Sequence, residues 1–205
     1  MYRILIAICV VFAMTQTSFA QGQVKRSTLS FNSGFSLPSA PVEFSDYWKS
    51  GFNFGAALEY PLSPKVIFQG CLNYNRFPLN EDQFLSEDGL SGLDISIDGG
   101  AASIITVSGN LKAPLSIQGS SVSPYLVGGL GIFRLSVSDI TVRYQGQSGR
   151  VDGASETALL FIFGTGLDFT ISPKVNMFFE IKYGIGVTEG ESTKYFPVKI
   201  GLSFK

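Results

Sequence analysis

A chain of 205 residues is the size of one domain, and its formal net charge of −1 excludes a nucleic-acid partner held by bulk electrostatics. Charged residues make up only 15% of the chain, against roughly 25% in soluble domains, while aromatics reach 13% and glycines number 23. A charged surface is therefore not what keeps this chain dispersed.

The first element is not structural. Residues 1–20, MYRILIAICVVFAMTQTSFA, carry Arg3, an apolar run from Ile4 to Met14 and a small-x-small ending at Ser18-Phe19-Ala20, the pattern of a cleavable secretory signal. The mature domain is expected to span 21–205. The apolar run is too short for a helical span, and no other segment approaches the roughly 20 apolar residues such a span requires. Cys9 would leave with the signal, so Cys71 would remain alone and no intrachain disulfide would form.

Downstream, period-two alternation predicts eight strands and no helix. The first, 27–37, sets Leu29, Phe31, Phe35 and Leu37 against Thr28, Ser30, Asn32 and Ser36. The second, 48–60, sets Phe52, Phe54, Ala56, Leu58 and Tyr60 against Asn53, Gly55, Ala57 and Glu59. The third, 65–77, opposes Val66, Phe68, Leu72 and Tyr74 to Gln69, Cys71, Asn73 and Asn75. The fourth, 99–112, opposes Ile105, Val107 and Leu111 to Thr106, Ser108, Asn110 and Lys112. In the fifth, PYLVGGLGIFRLSV, both faces carry apolar residues; Tyr125, Val127, Phe133 and Leu135 are assigned to the apolar face and Arg134 to the other. The sixth, 155–170, places Leu159, Phe161, Phe163, Leu167 and Phe169 opposite Gly164, Gly166 and Asp168. The seventh follows the turn in TISPKVNMFFEIKYGIG, with Lys174, Asn176, Glu180 and Lys182 on its polar side. The eighth, KYFPVKIGLSFK, sets Phe196, Val198, Ile200, Leu202 and Phe204 against Lys199, Gly201 and Ser203, with Pro197 placed near its start.

These strands exceed the usual 5 or 6 residues and reach the roughly 9 to 11 that a tilted bilayer crossing takes. Tyr60-Pro-Leu-Ser-Pro-Lys-Val is echoed by Phe169-Thr-Ile-Ser-Pro-Lys-Val, which predicts two equivalent tight turns at one end of a sheet, with 113–124 as a longer third. The other connections, 38–47, 78–98, 138–153 and 187–193, lie at the opposite end and are mostly longer. Short turns at one rim and long loops at the other are the asymmetry of a membrane barrel.

Alternation alone also suits a soluble sandwich or a lipocalin, so the polar face decides. It is Gly, Ser, Asn, Thr and Ala with isolated charges, which suits the narrow interior of eight strands. Glu59, Lys112, Arg134, Asp168, Glu180, Lys182 and Lys199 are then expected to pair across that interior, because an unpaired charge there is costly. Closure further predicts that 27–37 pairs with 194–205.

With its signal, eight strands, Pro-Tyr-x-x-x-Gly-x-Gly at 124–131 and an apolar last strand ending at Phe204, the chain resembles the small eight-stranded outer-membrane barrels of the OmpA and OmpX type. The resemblance covers nearly all of the mature chain and departs at Lys205, which follows the terminal aromatic. It implies an all-β fold, an eight-stranded antiparallel up-and-down transmembrane β-barrel. It also implies the outer membrane of a Gram-negative bacterium as location. Outer-membrane lipid, lipopolysaccharide and the outer-membrane insertion machinery are the partners it implies.

The chain has no histidine, whereas the barrel hydrolases, acyltransferases and proteases of that membrane rely on one, so an enzyme is not expected. The glycine-rich pieces lack the helix start of a phosphate cradle. Asp94-x-Ser96-x-Asp98-Gly99 copies half of a calcium loop, but position twelve is Ile105 where a glutamate is required, so no metal or cofactor is expected. The loop 78–100 carries Glu81, Asp82, Glu87, Asp88, Asp94 and Asp98 without Lys or Arg, which reads either as a solvated tip or as a surface for cations or a basic partner. The expected function is structural or surface-interacting, through the long loops. A narrow pore is the first alternative. An accessory subunit of an envelope complex is the second, with Gly129 and Gly131 beside Ser103 and Gly109 as its candidate patch.

Overall fold

Strict alternation lets each strand place small polar side chains on one side and large apolar ones on the other, and the chain uses that property to close on itself. The computed structural model describes residues 27–87, 95–115, 121–145 and 147–205, so the signal expected at 1–20 lies outside the described residues. In chain order the elements are β1 (Thr28–Ala40), α1 (Val42–Tyr47), β2 (Gly51–Ser63), β3 (Val66–Phe77), α2 (Glu81–Glu87) and β4 (Ile95–Gly99). They continue with β5 (Ala102–Pro114), β6 (Val122–Val137), β7 (Ile140–Tyr144), β8 (Gln147–Val151), β9 (Ser155–Ser172), β10 (Val175–Val187) and β11 (Thr193–Phe204).

Eight strands form a closed antiparallel barrel in the order β1-β11-β10-β9-β6-β5-β3-β2, so each neighbours the next barrel strand along the chain. The expected closure between first and last strands runs from Leu29 opposite Phe204 to Ala40 opposite Lys194. The ladder between β10 and β11 lapses between Ile181↔Val198 and Gly184↔Tyr195, beside Pro197, which has no N–H to donate. The two echoing turns are equivalent down to one contact. The Lys65 N–H donates to Ser63 Oγ at 3.3 Å, and the Lys174 N–H to Ser172 Oγ at 3.4 Å.

Outward residues are large, apolar and exposed: Leu159 is 66% exposed, Leu130 61% and Ile132 58%. A predominantly apolar surface around a whole barrel does not suit water and matches hydrocarbon. No described helix is long and apolar enough to cross a membrane.

Four expectations are corrected here. The faces of the fifth strand are the reverse of those expected: Tyr125, Val127 and Phe133 point inward and are buried, while Leu126, Leu130 and Ile132 point outward. Glycines at 128, 129 and 131 erase the size contrast by which the two faces are told apart. Two short helices occur where none is predicted, since six or seven residues are too few to show a helical period. The strand predicted to begin at 99 begins at Ala102, and a further strand precedes it: Gly99 (φ 97°) and Gly100 (φ 70°) adopt left-handed backbone and separate β4 from β5. Finally, the long loops carry a separate sheet of order β4-β7-β8, which joins the connection after β3 to the connection after β6.

At the loop end the barrel is filled by an apolar plug of Phe44, Phe77, Ala102, Ile104, Phe133, Leu160, Ile162 and Tyr195. Helix α1 delivers Phe44, whose ring meets Phe77 edge-on at 5.2 Å. The Trp48 indole N–H fixes the entry of β2 by donating to the Gly100 carbonyl at 2.8 Å.

Candidate functional site

Inside the barrel the polar side chains are stacked in tiers. Nearest the short turns, Lys112 Nζ lies 2.8 Å from Asp168 Oδ2 and 3.4 Å from Glu59 Oε1. It also sits 4.1 Å above the centre of the Tyr125 ring, so the cation is enclosed by two carboxylates and a π face. Gln69 Nε2 donates to the same Glu59 oxygen at 2.6 Å. A cavity of about 400 Å³ opens below this tier, bordered by Glu59, Lys112, Asp168 and Ser203.

One tier up, Lys182 Nζ meets Glu180 Oε1 at 2.9 Å, and the Tyr125 hydroxyl donates to Glu180 Oε2 at 3.1 Å. Beside them Lys199 Nζ donates to Asn73 Oδ1 at 2.7 Å. The Asn110 amide donates to Cys71 Sγ at 3.2 Å, and Cys71 is a buried free thiol. Above, Asn53 donates to Ser36 Oγ at 2.9 Å and Ser36 donates to Asn75 Oδ1 at 2.7 Å. The space left near Lys199, Asn73 and Thr106 is about 10 Å³, roughly one water. The plug then begins, with Phe77, Ile104, Phe133 and Leu160 at 0% exposure.

The inner charges balance in sign, Glu59, Asp168 and Glu180 against Lys112, Lys182 and Lys199. Their neutrality is what a narrow low-dielectric interior demands. Glycines make the tiers possible: a Cβ at Gly166 would collide with the Tyr125 ring and lie 2.6 Å from the Phe179 carbonyl oxygen.

Six of the seven residues predicted to share the lumen are brought together. Arg134 is not among them. It follows the reversed face of β6, points outward and donates to Ser155 Oγ at 3.1 Å. Lys174 likewise lies in the exposed turn between β9 and β10 rather than inside. Gly129 and Gly131, expected in an outer patch, face inward and make room for Asn110 and Ser108. Tyr125 is a luminal residue that sequence reasoning places on the wrong side, because its role is legible only once the face of β6 is known.

The acidic loop residues do not converge among the described residues. Glu81 and Asp82 open α2, and Asp82 reaches Lys49 at 3.6 Å with both side chains exposed. Glu87 closes α2, and Asp98 lies on β4 opposite Thr141. Asp88 and Asp94 lie outside the described residues. No group of three or more metal-capable His, Cys, Asp or Glu side chains occurs among the described residues.

The loop sheet is amphipathic by register. Ile95, Ile97, Val142, Tyr144, Ile140 and Val151 share one face, and Ser96, Asp98, Thr141, Arg143, Ser148 and Arg150 the other. Its base is tied by Asp139, which accepts the Gly153 N–H at 2.7 Å and pairs with Arg150. The Gly153 N–H, and secondarily the Arg150 guanidinium, hold the Asp139 carboxyl below its ordinary value.

Comparison with known proteins agrees with this architecture. No curated protein matches the chain. Neisserial surface protein A (NspA) superposes with a TM-score of 0.58 at 15% identity, over 87% of this chain and 96% of that one. A major outer membrane protein from Thermus thermophilus gives 0.53 at 10% identity, over 89% and 99%. Ail, the attachment invasion locus protein of Yersinia pestis, gives 0.51 at 18% identity, over 88% and 99%. Identities this low speak for the fold alone. The sequence pattern of the outer membrane protein beta-barrel domain matches residues 5–205, and the chain belongs to that family.

Proposed function

We propose that this is a non-enzymatic, non-conducting barrel of the Gram-negative outer membrane, exported by its signal, which presents its long loops as an interaction surface. The observation that carries this reading is the contrast between the two parts. The lumen is charge-balanced and capped by a fully buried aromatic plug, whereas the loops fold into a sheet of their own, separate from the barrel. A pore would place its polar groups along a continuous path, and here Phe77, Ile104, Phe133 and Leu160 stand across that path.

The acidic start of α2 and the open edge strand β8, exposed along its whole length, are the parts of the loops that can meet a partner. The test is a chain in which 80–92 and, separately, 140–151 are replaced by short Gly/Ser linkers. Both variants should keep the heat-modifiable migration of a folded barrel while losing partners captured by pull-down from native outer membranes. Unchanged capture by both variants, or stable conductance steps from the parent chain in planar bilayers, would count against the proposal.

A further inference from the structure

The luminal charges balance in sum but not tier by tier. Nearest the short turns, Glu59 and Asp168 share one ammonium, that of Lys112. One tier up the count is reversed: Glu180 meets Lys182, and Lys199 donates to the uncharged Asn73. The lower tier thus carries one carboxylate in excess, and it is the tier that borders the cavity of about 400 Å³. Coulombic compensation weakens with distance, so a cation within this tier stabilises the excess charge more than Lys199 does from the tier above.

The ring of strands shows where such a cation fits. Glu59 on β2 and Asp168 on β9 stand on opposite sides of the barrel, four strands apart in either direction. Lys112 on β5 is midway along one arc between them, and Ser203 on β11 is midway along the other. Ser203 borders the cavity and is only 3% exposed, and its Oγ has no hydrogen-bond partner among the described residues. Lys112 uses Oε1 of Glu59 and Oδ2 of Asp168, and Gln69 uses the same Oε1. Glu59 Oε2 and Asp168 Oδ1 are left for a donor arriving from the Ser203 side. Lys205 is at the mouth, exposed, where it donates to Asn176 Oδ1 at 3.3 Å. Because the plug of Phe77, Ile104, Phe133 and Leu160 closes the lumen above, the cavity is a pocket and not a path.

We infer that this cavity binds a small organic cation, a primary ammonium ion on a short unbranched stem, seated opposite Lys112. An ammonium has three N–H donors and no acceptor, which suits two carboxylate oxygens and a serine hydroxyl. Its stem lies against Pro61, Ile67 and Pro114, which give the cavity an apolar border. The volume falls within the roughly 300–1,000 Å³ of small-molecule sites. With a second ammonium the tier becomes neutral, two charges of each sign. No group of three metal-capable side chains occurs among the described residues, so the donor set favours an organic cation over a metal. Binding here depends on the closed barrel alone and not on the role of the loops.

The test is an NMR titration of the full barrel in zwitterionic detergent, with propylammonium, tetramethylammonium and sodium ions as probes. Propylammonium should give saturable shifts at the amides of Thr28, Asn176 and Ser203. Tetramethylammonium, which carries the charge without N–H donors, and sodium should bind at least about tenfold more weakly. Asp168→Asn should weaken propylammonium about tenfold, and Lys174→Ala, in the exposed turn at the same rim, should leave it unchanged. Ser203→Lys supplies the ammonium from the chain itself. It should abolish propylammonium binding and raise the urea midpoint above that of Ser203→Met, which fills similar space without charge. Absence of saturable shifts, equal affinity for sodium or tetramethylammonium, unchanged binding by Asp168→Asn, or a Ser203→Lys barrel less stable than the Ser203→Met one would overturn the inference. If neither Ser203 variant folds, the Asp168→Asn titration decides.

Discussion

The sharpest test of the luminal network is Lys182→Met, which keeps most of the side-chain volume and removes the charge. Lys182 and Glu180 are each no more than 5% exposed and meet at 2.9 Å. At an effective dielectric near 20 the attraction at that distance is on the order of 6 kcal/mol, most of it offset by desolvation. Removing the lysine leaves Glu180 buried with, among the described residues, only the Tyr125 hydroxyl within bonding distance, and the expected loss of stability is about 3–5 kcal/mol. Lys112→Met should cost less, because its carboxylate partners, Glu59 and Asp168, are 11% and 17% exposed toward the open cavity and water can take over. The double variant Glu180→Gln/Lys182→Met removes both charges while keeping an acceptor for Tyr125, and should recover most of the loss. Urea unfolding in lipid vesicles, followed by tryptophan fluorescence of Trp48 and by gel shift, measures all three. A double variant as unstable as Lys182→Met, or a Lys112 variant worse than the Lys182 one, would refute the assignment of a desolvated, self-neutralising pair.

Three further outcomes are expected. Phe133→Ala should destabilise the barrel by about 3–5 kcal/mol, because the ring is fully buried in the plug, and should be the variant that first admits ion conductance in planar bilayers. Gly166→Val should fail to give a folded, heat-modifiable band, since its first side-chain carbon would meet the Tyr125 ring and backbone of β10. Protonation of Asp139 should loosen the base of the loop sheet. Its carboxyl is held low in the folded chain, so the contribution is complete above the unfolded carboxylate value, roughly 4, and is lost as pH falls through the lower folded value. Protection of the Gly153 amide, its exchange rate relative to that of an unstructured peptide at the same pH, should therefore fall only in acid, and Asp139→Asn should show the lowered protection at neutral pH as well.

The equal spacing of large and small residues is enough to find seven of the eight barrel strands with the correct faces. It works because lipid outside and a crowded polar lumen inside impose opposite size and polarity on alternate residues. In β6 both faces are apolar, for different reasons: Leu126, Leu130 and Ile132 meet lipid, while Tyr125, Val127 and Phe133 fill the interior. There the alternation signal vanishes, and the expectation for Arg134 fails with it.

By itself the sequence determined a barrel, its closure between the first and last strands, the two matching Ser-Pro-Lys turns and most of the charges that meet inside. These follow from local alternation and from the requirement that every strand N–H and C=O be paired in lipid. Tertiary structure alone decided the rest. It showed that the upper lumen is an apolar plug and that two separate loops share one sheet. Each of these depends on which distant residues are neighbours around the barrel, a relation that period-two alternation does not encode.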